Sequence, residues 1–280
     1  MLIAYFVIAA AVSAPVYSGD GAELLSRADA LYARRAEGAR GATANPGPID
    51  AAIAAYKAVL RVDLGSLEAR AGLMRAIFFR GSFCDTPPDE QIRLFEEGKQ
   101  LADDTVRHLE RSLGAVKGPV RIAALRRVPA ATQVYFWAAV SWGQWSVDHK
   151  LAAAWQAAAP RIRDLAQTAV DLDPVMDQGS AYLILGRLHS ECPRIPMLTR
   201  WISRTRAIAL LRQALRTGPE NTPNMFFLAD ALLTYEPAQA DEARRLLERC
   251  ARVEPRPAYA VEDAHYAQMA RERLASQPQR

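Results

Sequence analysis

Apolar side chains return every three or four residues along nearly the whole chain, the spacing that gathers them on one face of an α-helix. No stretch shows the strict alternation, bounded by turn residues, that marks a sheet strand. The pattern therefore reads as all-α. It predicts helices at 22–37, 49–62, 66–80, 89–114, 131–147, 161–172, 179–190, 203–217, 224–234, 239–252 and 258–275, paired so that one helix lines the inside and its mate the outside. Residues 36–48, rich in Gly, Ala and Pro and closing on Asn45-Pro46-Gly47-Pro48, read as a loop inside the first pair.

A finer spacing repeats within this pattern. A small or apolar residue is followed four positions on by an apolar one, three on by a small one, and five on by proline. Ala207, Leu211, Ala214 and Pro219 show it, Ala243, Leu247, Cys250 and Pro255 repeat it, and Ile162, Ala166, Ala169 and Pro174 give a looser copy. Ala52, Tyr56, Val59 and Leu64 form an early copy with leucine in place of proline. Small residues let one helix approach its neighbour, and the proline stops the helix and starts the link to the next pair. This is the second half of a tetratricopeptide repeat (TPR), and it predicts a right-handed superhelix of antiparallel helix pairs over 19–280. Stacked scaffolds of this kind bind rather than transform.

The opening seventeen residues read differently, with an apolar run from Leu2 to Val12, then Ser13, Ala14 and Pro15, and a polar change at Ser18-Gly19-Asp20. The run is shorter than the ~20 residues of a spanning helix. Residues 1–18 are taken as a secretory signal cut after Ser18, which implies a periplasmic or otherwise exported protein; an uncleaved anchor and an ordinary buried helix are the alternatives. No cysteine follows closely to carry a lipid.

Half of the 280 residues are apolar, enough for a sizeable core. Lys and Arg exceed Asp and Glu only by 35 to 31, spread along the chain, so no nucleic-acid partner is expected. Cys84, Cys192 and Cys250 form no C-x-x-C pair and suggest neither zinc nor a redox centre. Cys250 stands at the small-residue position of its repeat and is expected to pack like alanine, whereas Cys84 and Cys192 fall shortly before prolines in turns, where pairing in an oxidising compartment is the alternative to free thiols. No metal or cofactor is expected. Among the usual catalytic patterns there is no H-E-x-x-H, no phosphate-binding glycine loop and no nucleophile elbow, so the chain is not expected to be an enzyme. In the long helix from Pro88 to Leu113, Asp103 with Arg107 and Asp104 with His108 suit mutual support on a solvated face.

Two segments carry candidate binding residues. In the helix from Thr132 to Ser146, Tyr135, Ala138, Trp142 and Trp145 share a stripe, Trp137 lies beside it, and Ala139 and Gly143 leave room for a neighbour's backbone. These aromatics either pack the core or, with His189 on a later inner helix, line a groove for an apolar ligand. The segment from Pro193 to Arg206 is long for a turn between paired helices. Either it folds back over the core, or Arg194, Met197, Arg200, Trp201 and Arg204 meet a protein partner, anchored by Trp201 and Arg200.

In order, Leu94-Phe-Glu-Glu-Gly-Lys, Tyr135-Phe-Trp-Ala-Ala-Val-Ser-Trp-Gly, Leu172-Asp-Pro, Gly179 leading to Leu185-Gly-Arg-Leu-His, Cys192-Pro and the stretch from Ala207 to Ala214 resemble the TatT proteins, TPR components of the periplasm associated with TRAP transporters. The resemblance spans about residues 50 to 275. It implies an all-helical periplasmic adaptor, able to form a homotrimer, that docks on a solute-binding protein and shares an apolar ligand with it. The chain departs from that pattern in lacking the lipid-bearing cysteine and in having Thr199-Arg-Trp-Ile-Ser-Arg where a Gly-Gly-Asp turn is usual. A general TPR scaffold for an envelope complex and a stand-alone carrier of hydrophobic solutes are the alternative readings.

Overall fold

The computed structural model describes residues 19–197 and 199–277; the predicted export segment lies outside them. Among the described residues thirteen α-helices follow one another: α1 (Gly19–Ala33), α2 (Pro46–Val62), α3 (Leu67–Phe83), α4 (Pro88–Leu113), α5 (Gly118–Leu125), α6 (Ala131–Asp148), α7 (Lys150–Trp155), α8 (Ala158–Leu172), α9 (Met176–Glu191), α10 (Arg204–Thr217), α11 (Thr222–Tyr235), α12 (Ala240–Ala251) and α13 (Ala260–Ala275). Among the described residues the only β-structure is isolated bridges, and no helix there is long and apolar enough to cross a membrane.

The starts and stops follow local chemistry. Asn45 accepts from the Gly47 N–H with Pro46 in the first turn of α2, and Ser66 and Ser203 accept from Ala69 and Arg206 N–H at the starts of α3 and α10. The first helix ends at Ala33 rather than at 37: Gly38 and Gly41, both at positive φ, turn the chain back so that the Ala44 N–H bonds the Phe83 carbonyl at 2.7 Å. Two short helices were not predicted, α5, which opens on Gly118-Pro119 and is only eight residues long, and α7, which is only six. In α9 regular geometry starts only after Asp177, Gln178 and Gly179, all at positive φ.

Inner helices α1, α3, α6, α9, α11 and α13 alternate with outer helices α2, α4, α8, α10 and α12. All four sequence copies of the repeat spacing fall on outer helices, and Ala52, Tyr56, Val59, Ala166, Ala169, Ala207, Leu211, Ala214, Ala243, Leu247 and Cys250 are completely buried. Glycines receive the large members of the pattern: a Cβ at Gly72 would lie 2.4 Å from the Tyr56 ring, and one at Gly186 would lie 2.6 Å from Leu211. Cys250 packs as expected, its thiol directed to the carbonyls of Thr222 and Tyr266.

The superhelix closes. The last inner helix, α13, returns to the first repeats: Arg35 donates to Glu262 and to the Ala258 carbonyl, Phe83 meets His265 edge-on at 5.3 Å, and Val261 is buried in the same core as Tyr32, Tyr56 and Phe79. Arg256 and Tyr259 bond Gln178 and Asp177 at the start of α9. Helices α3, α6, α9, α11 and α13 thus form a ring, with α1 at the seam.

Candidate functional site

The ring encloses a cavity of about 1170 Å³. Its apolar wall is built from Phe78, Phe79 and Phe83 on α3, Phe136, Trp137 and Val140 on α6, Leu183, Ile184 and Leu188 on α9, and Tyr266 on α13. Phe78 and Trp137 approach within 5.7 Å between ring centres, as do Phe136 and Trp137 within 4.8 Å, so the aromatic wall is continuous between two inner helices. Gly143 also faces the space, and a Cβ there would meet nothing within 4 Å. It leaves room in the cavity rather than for a neighbour's backbone.

Charged groups of the wall are mostly paired. Arg35 holds Glu262 at 2.8 Å, Arg256 holds Asp263 at 2.7 Å, and Arg187 holds Glu191 at 2.8 Å. At the seam Arg75 lies flat on Tyr32, 3.8 Å from its ring centre, and bonds the Tyr56 hydroxyl, which donates to Asp29. Burial pushes the Tyr32 phenol up to about 12 and lifts the Glu262 carboxyl above its ordinary value, with Arg35 only partly opposing the latter. Glu262 Oε2 and Arg75 Nε are buried without hydrogen-bond partners.

Of the residues read as ligand-lining, Trp137 is on the cavity wall. Tyr135, Trp142, Trp145 and His189 are not: they are buried in the layer between inner and outer helices. The polar ends of the aromatics explain the rotation. The Tyr135 hydroxyl donates to Glu110 and receives from Arg121, the Trp142 indole donates to Asp103 at 2.9 Å, and Lys99 lies over both Trp142 and Trp145. A buried Tyr or Trp needs such partners, and α4 and α5 supply them. Asp103 accordingly pairs with Lys99 and Asp104 with Arg107, not in the combinations expected. The residues that do reach the cavity, Phe136, Val140, Gln144 and Val147, lie on the opposite side of α6 at a nearly regular four-residue spacing that the stripe of larger rings masked.

His189 is a core group. Its Nδ1 accepts the Ser203 N–H, its ring meets Trp201 edge-on at 5.4 Å, and burial together with Arg206, Arg163 and Arg204 pushes its pKa down to about 4. The segment after α9 folds in part back over the core: Trp201 is held between His189 and Arg163, and Arg204 donates to the carbonyls of His189 and Ser190. Arg194, Met197 and Arg200 stay exposed, while Pro193, Ile195 and Thr199 border the cavity. Cys84, Cys192 and Cys250 are free thiols. Cys192 borders the cavity too, and burial raises its pKa, which leaves it a poor nucleophile. Among the described residues no three His, Cys, Asp or Glu side chains are grouped to hold a metal.

No protein-family model and no curated protein sequence matches the chain. Its fold is similar to that of a solved TPR structure. TTC0263, a thermophilic TPR protein of Thermus thermophilus, superposes with a TM-score of 0.54 at 16% identity over 91% of this chain and 97% of that one. The MamA protein gives 0.42 at 17% over 92% and 100%, and residues 1–338 of Acl4, the assembly chaperone of RpL4, give 0.40 at 21% over 92% and 99%. The first of these shows the architecture: an all-α, TPR-like right-handed superhelix.

Proposed function

We propose that the protein is a non-catalytic, exported helical-repeat adaptor that holds an apolar ligand inside its ring and works beside the solute-binding protein of a TRAP-type transport system. One observation carries the ligand part: the superhelix closes, so the aromatic and aliphatic inner faces line one common cavity of about 1170 Å³. An apolar molecule gains by leaving water for such walls, and the volume slightly exceeds the several hundred to about 1,000 Å³ typical of ligand sites. Most arginines on the wall are already matched to carboxylates, so a strongly charged solute finds little free counter-charge there. Among the described residues no histidine borders the cavity, and its thiol is held protonated, which favours binding over chemistry. The transport partner, the periplasmic location and a homotrimer rest on the sequence resemblance.

The test is native mass spectrometry of the full chain and of Gly143→Trp, with organic extraction of whatever co-purifies. The ligand reading expects an apolar molecule in the parent and loss or at least ~tenfold reduction in the variant, whose ring fills cavity space. A parent that retains nothing and takes up no added apolar dye sinks it. Co-elution with the solute-binding protein decides between the adaptor and a stand-alone carrier.

A further inference from the structure

One edge of the cavity carries apolar side chains turned outward into water. Val147, Leu151 and Trp155 succeed one another at four-residue intervals across the end of α6 and α7, and Leu151 and Trp155 are 82% and 90% exposed. The chain breaks at His149 (ψ 45°) and leaves α7 through Ala157 at φ 52°, so α7 stands as a separate short step with alanines on its inner side. Nearby, Ile195 is partly exposed and Met197 is 94% exposed, the latter on a non-glycine backbone at φ 66°. Arg163 in α8 lies over Trp201, which ties the chain following α7 to the segment following α9. Val147, Lys150, Ala153, Ala154 and Ile195 also border the cavity, which makes this edge continuous with the apolar interior. Large apolar groups left this exposed are costly in water, and several of them along one edge of the cavity mark a contact surface.

We propose that this edge docks on an anionic lipid surface, with Leu151, Trp155 and Met197 entering the headgroup layer, so that the apolar ligand moves between bilayer and cavity without crossing water. The passenger rests on the ligand-holding reading; the docking does not. Charge selects the partner. Lys150, Arg194 and Arg200 are exposed within a few residues of the apolar groups; the acids at this edge are Asp148, which is exposed, Glu96, which pairs with His149, and Glu191, which pairs with Arg187, so basic groups are in excess. Basic groups flanking exposed Trp, Leu and Met are the composition that anionic interfaces hold, with tryptophan at headgroup depth. Two copies of this face set against each other would oppose their own arginines, and protruding single side chains fit a fluid layer without needing matching pockets.

The test is flotation of the full chain with vesicles of phosphatidylcholine alone and of phosphatidylcholine with phosphatidylglycerol. The apolar N-terminal segment is common to all proteins compared. The parent should float with the anionic vesicles, less well at high salt, and the double variant Leu151→Ser/Trp155→Ser should bind about tenfold or more weakly, while its unfolding midpoint stays in place because both side chains are exposed. Met197→Ser should weaken binding to a smaller degree. A double variant that floats like the parent, or a parent that does not float, overturns the proposal. So does light scattering that shows the double variant splitting an oligomer, or loss of solute-binding-protein capture with flotation unchanged, since either assigns the face to a protein. Mass spectrometry of the same samples separates the two readings: an empty parent that floats, with a variant that does not, upholds docking and rejects the ligand.

Discussion

Two inner-helix glycines should respond in opposite directions to an added side chain. At Gly143 a Cβ meets nothing within 4 Å, and the residue is inside a regular helix that faces the cavity. Replacing it with leucine removes the helix penalty of glycine, about 1 kcal/mol, and the added side chain enters open space. The expected result is a gain of roughly 0.5–1 kcal/mol, with the melting midpoint rising by about 2 °C in a chain of this size. At Gly72 a Cβ would fall 2.4 and 2.5 Å from the Tyr56 ring. That ring cannot swing aside freely, because its hydroxyl donates to Asp29 at 2.5 Å and receives from Arg75 at 3.1 Å. Overpacking typically costs ~1–3 kcal/mol, so even after the same helix gain Gly72→Ala should lose about 1–2 kcal/mol. Urea unfolding followed by far-ultraviolet circular dichroism, with both variants and the parent at one protein concentration, reads the difference. If Gly143→Leu falls as far as Gly72→Ala, the ring does not enclose an open volume beside α6, and the reasoning about the cavity fails with it.

Three further outcomes follow from the same contacts. Arg35→Ala removes the partner of a largely buried Glu262 and the bond to the Ala258 carbonyl, and should destabilise by about 3 kcal/mol in thermal or urea unfolding; a loss under about 1 kcal/mol would mean the seam does not hold. His189 titrates lower in the folded protein, near 4, than its ordinary 6.5, so the stability tied to its neutral ring is complete above pH 6.5 and drains away as pH falls through about 4. His189→Gln should flatten that limb of a pH series of unfolding midpoints, and an unchanged limb would show that other groups cause it. Trp201→Ala, which frees the space between His189 and Arg163, should cost about 1–3 kcal/mol, whereas Arg194→Ser and Met197→Ser should leave stability within about 0.5 kcal/mol; equal midpoints for all three would return Trp201 to the surface.

The outer helices were legible because their constraint is local. A small residue, an apolar residue and a proline at set intervals describe one helix against its neighbour, and Ala207, Leu211, Ala214 and their counterparts are buried where that spacing puts them. The ring was not legible, since its closure depends on pairs more than two hundred positions apart, Arg35 with Glu262 above all. The aromatic stripe of α6 reads from the sequence as either core or groove, and its polar groups are what distinguish the two. Tyr135 and Trp142 look like cavity rings by size, but their hydroxyl and indole groups require partners, and those partners, Glu110, Arg121 and Asp103, lie on the outer layer. Phe136, which has no polar group to satisfy, borders the cavity beside Trp137. An aromatic stripe on a buried helix is better sorted by what its polar atoms need than by ring area.

Closure also changes how the repeats depend on one another. In an open array each repeat touches only its neighbours, and stability is close to a sum of local terms. Here Val261 on the last inner helix completes the core made by the first three helices, alongside Tyr32, Tyr56 and Phe79. The seam around it is polar, Arg35 with Glu262 and Tyr259 with Asp177, while the wall facing inward is aromatic and aliphatic. Polar contacts of this kind are directional, so they specify one register of closure, and a buried carboxylate left without Arg35 would be strongly opposed. The apolar contact at Val261 then supplies attraction without register. The cavity is therefore a product of the whole chain: its volume exists only while the two ends hold the same core, and a ligand that binds it must stabilise the first and last repeats together.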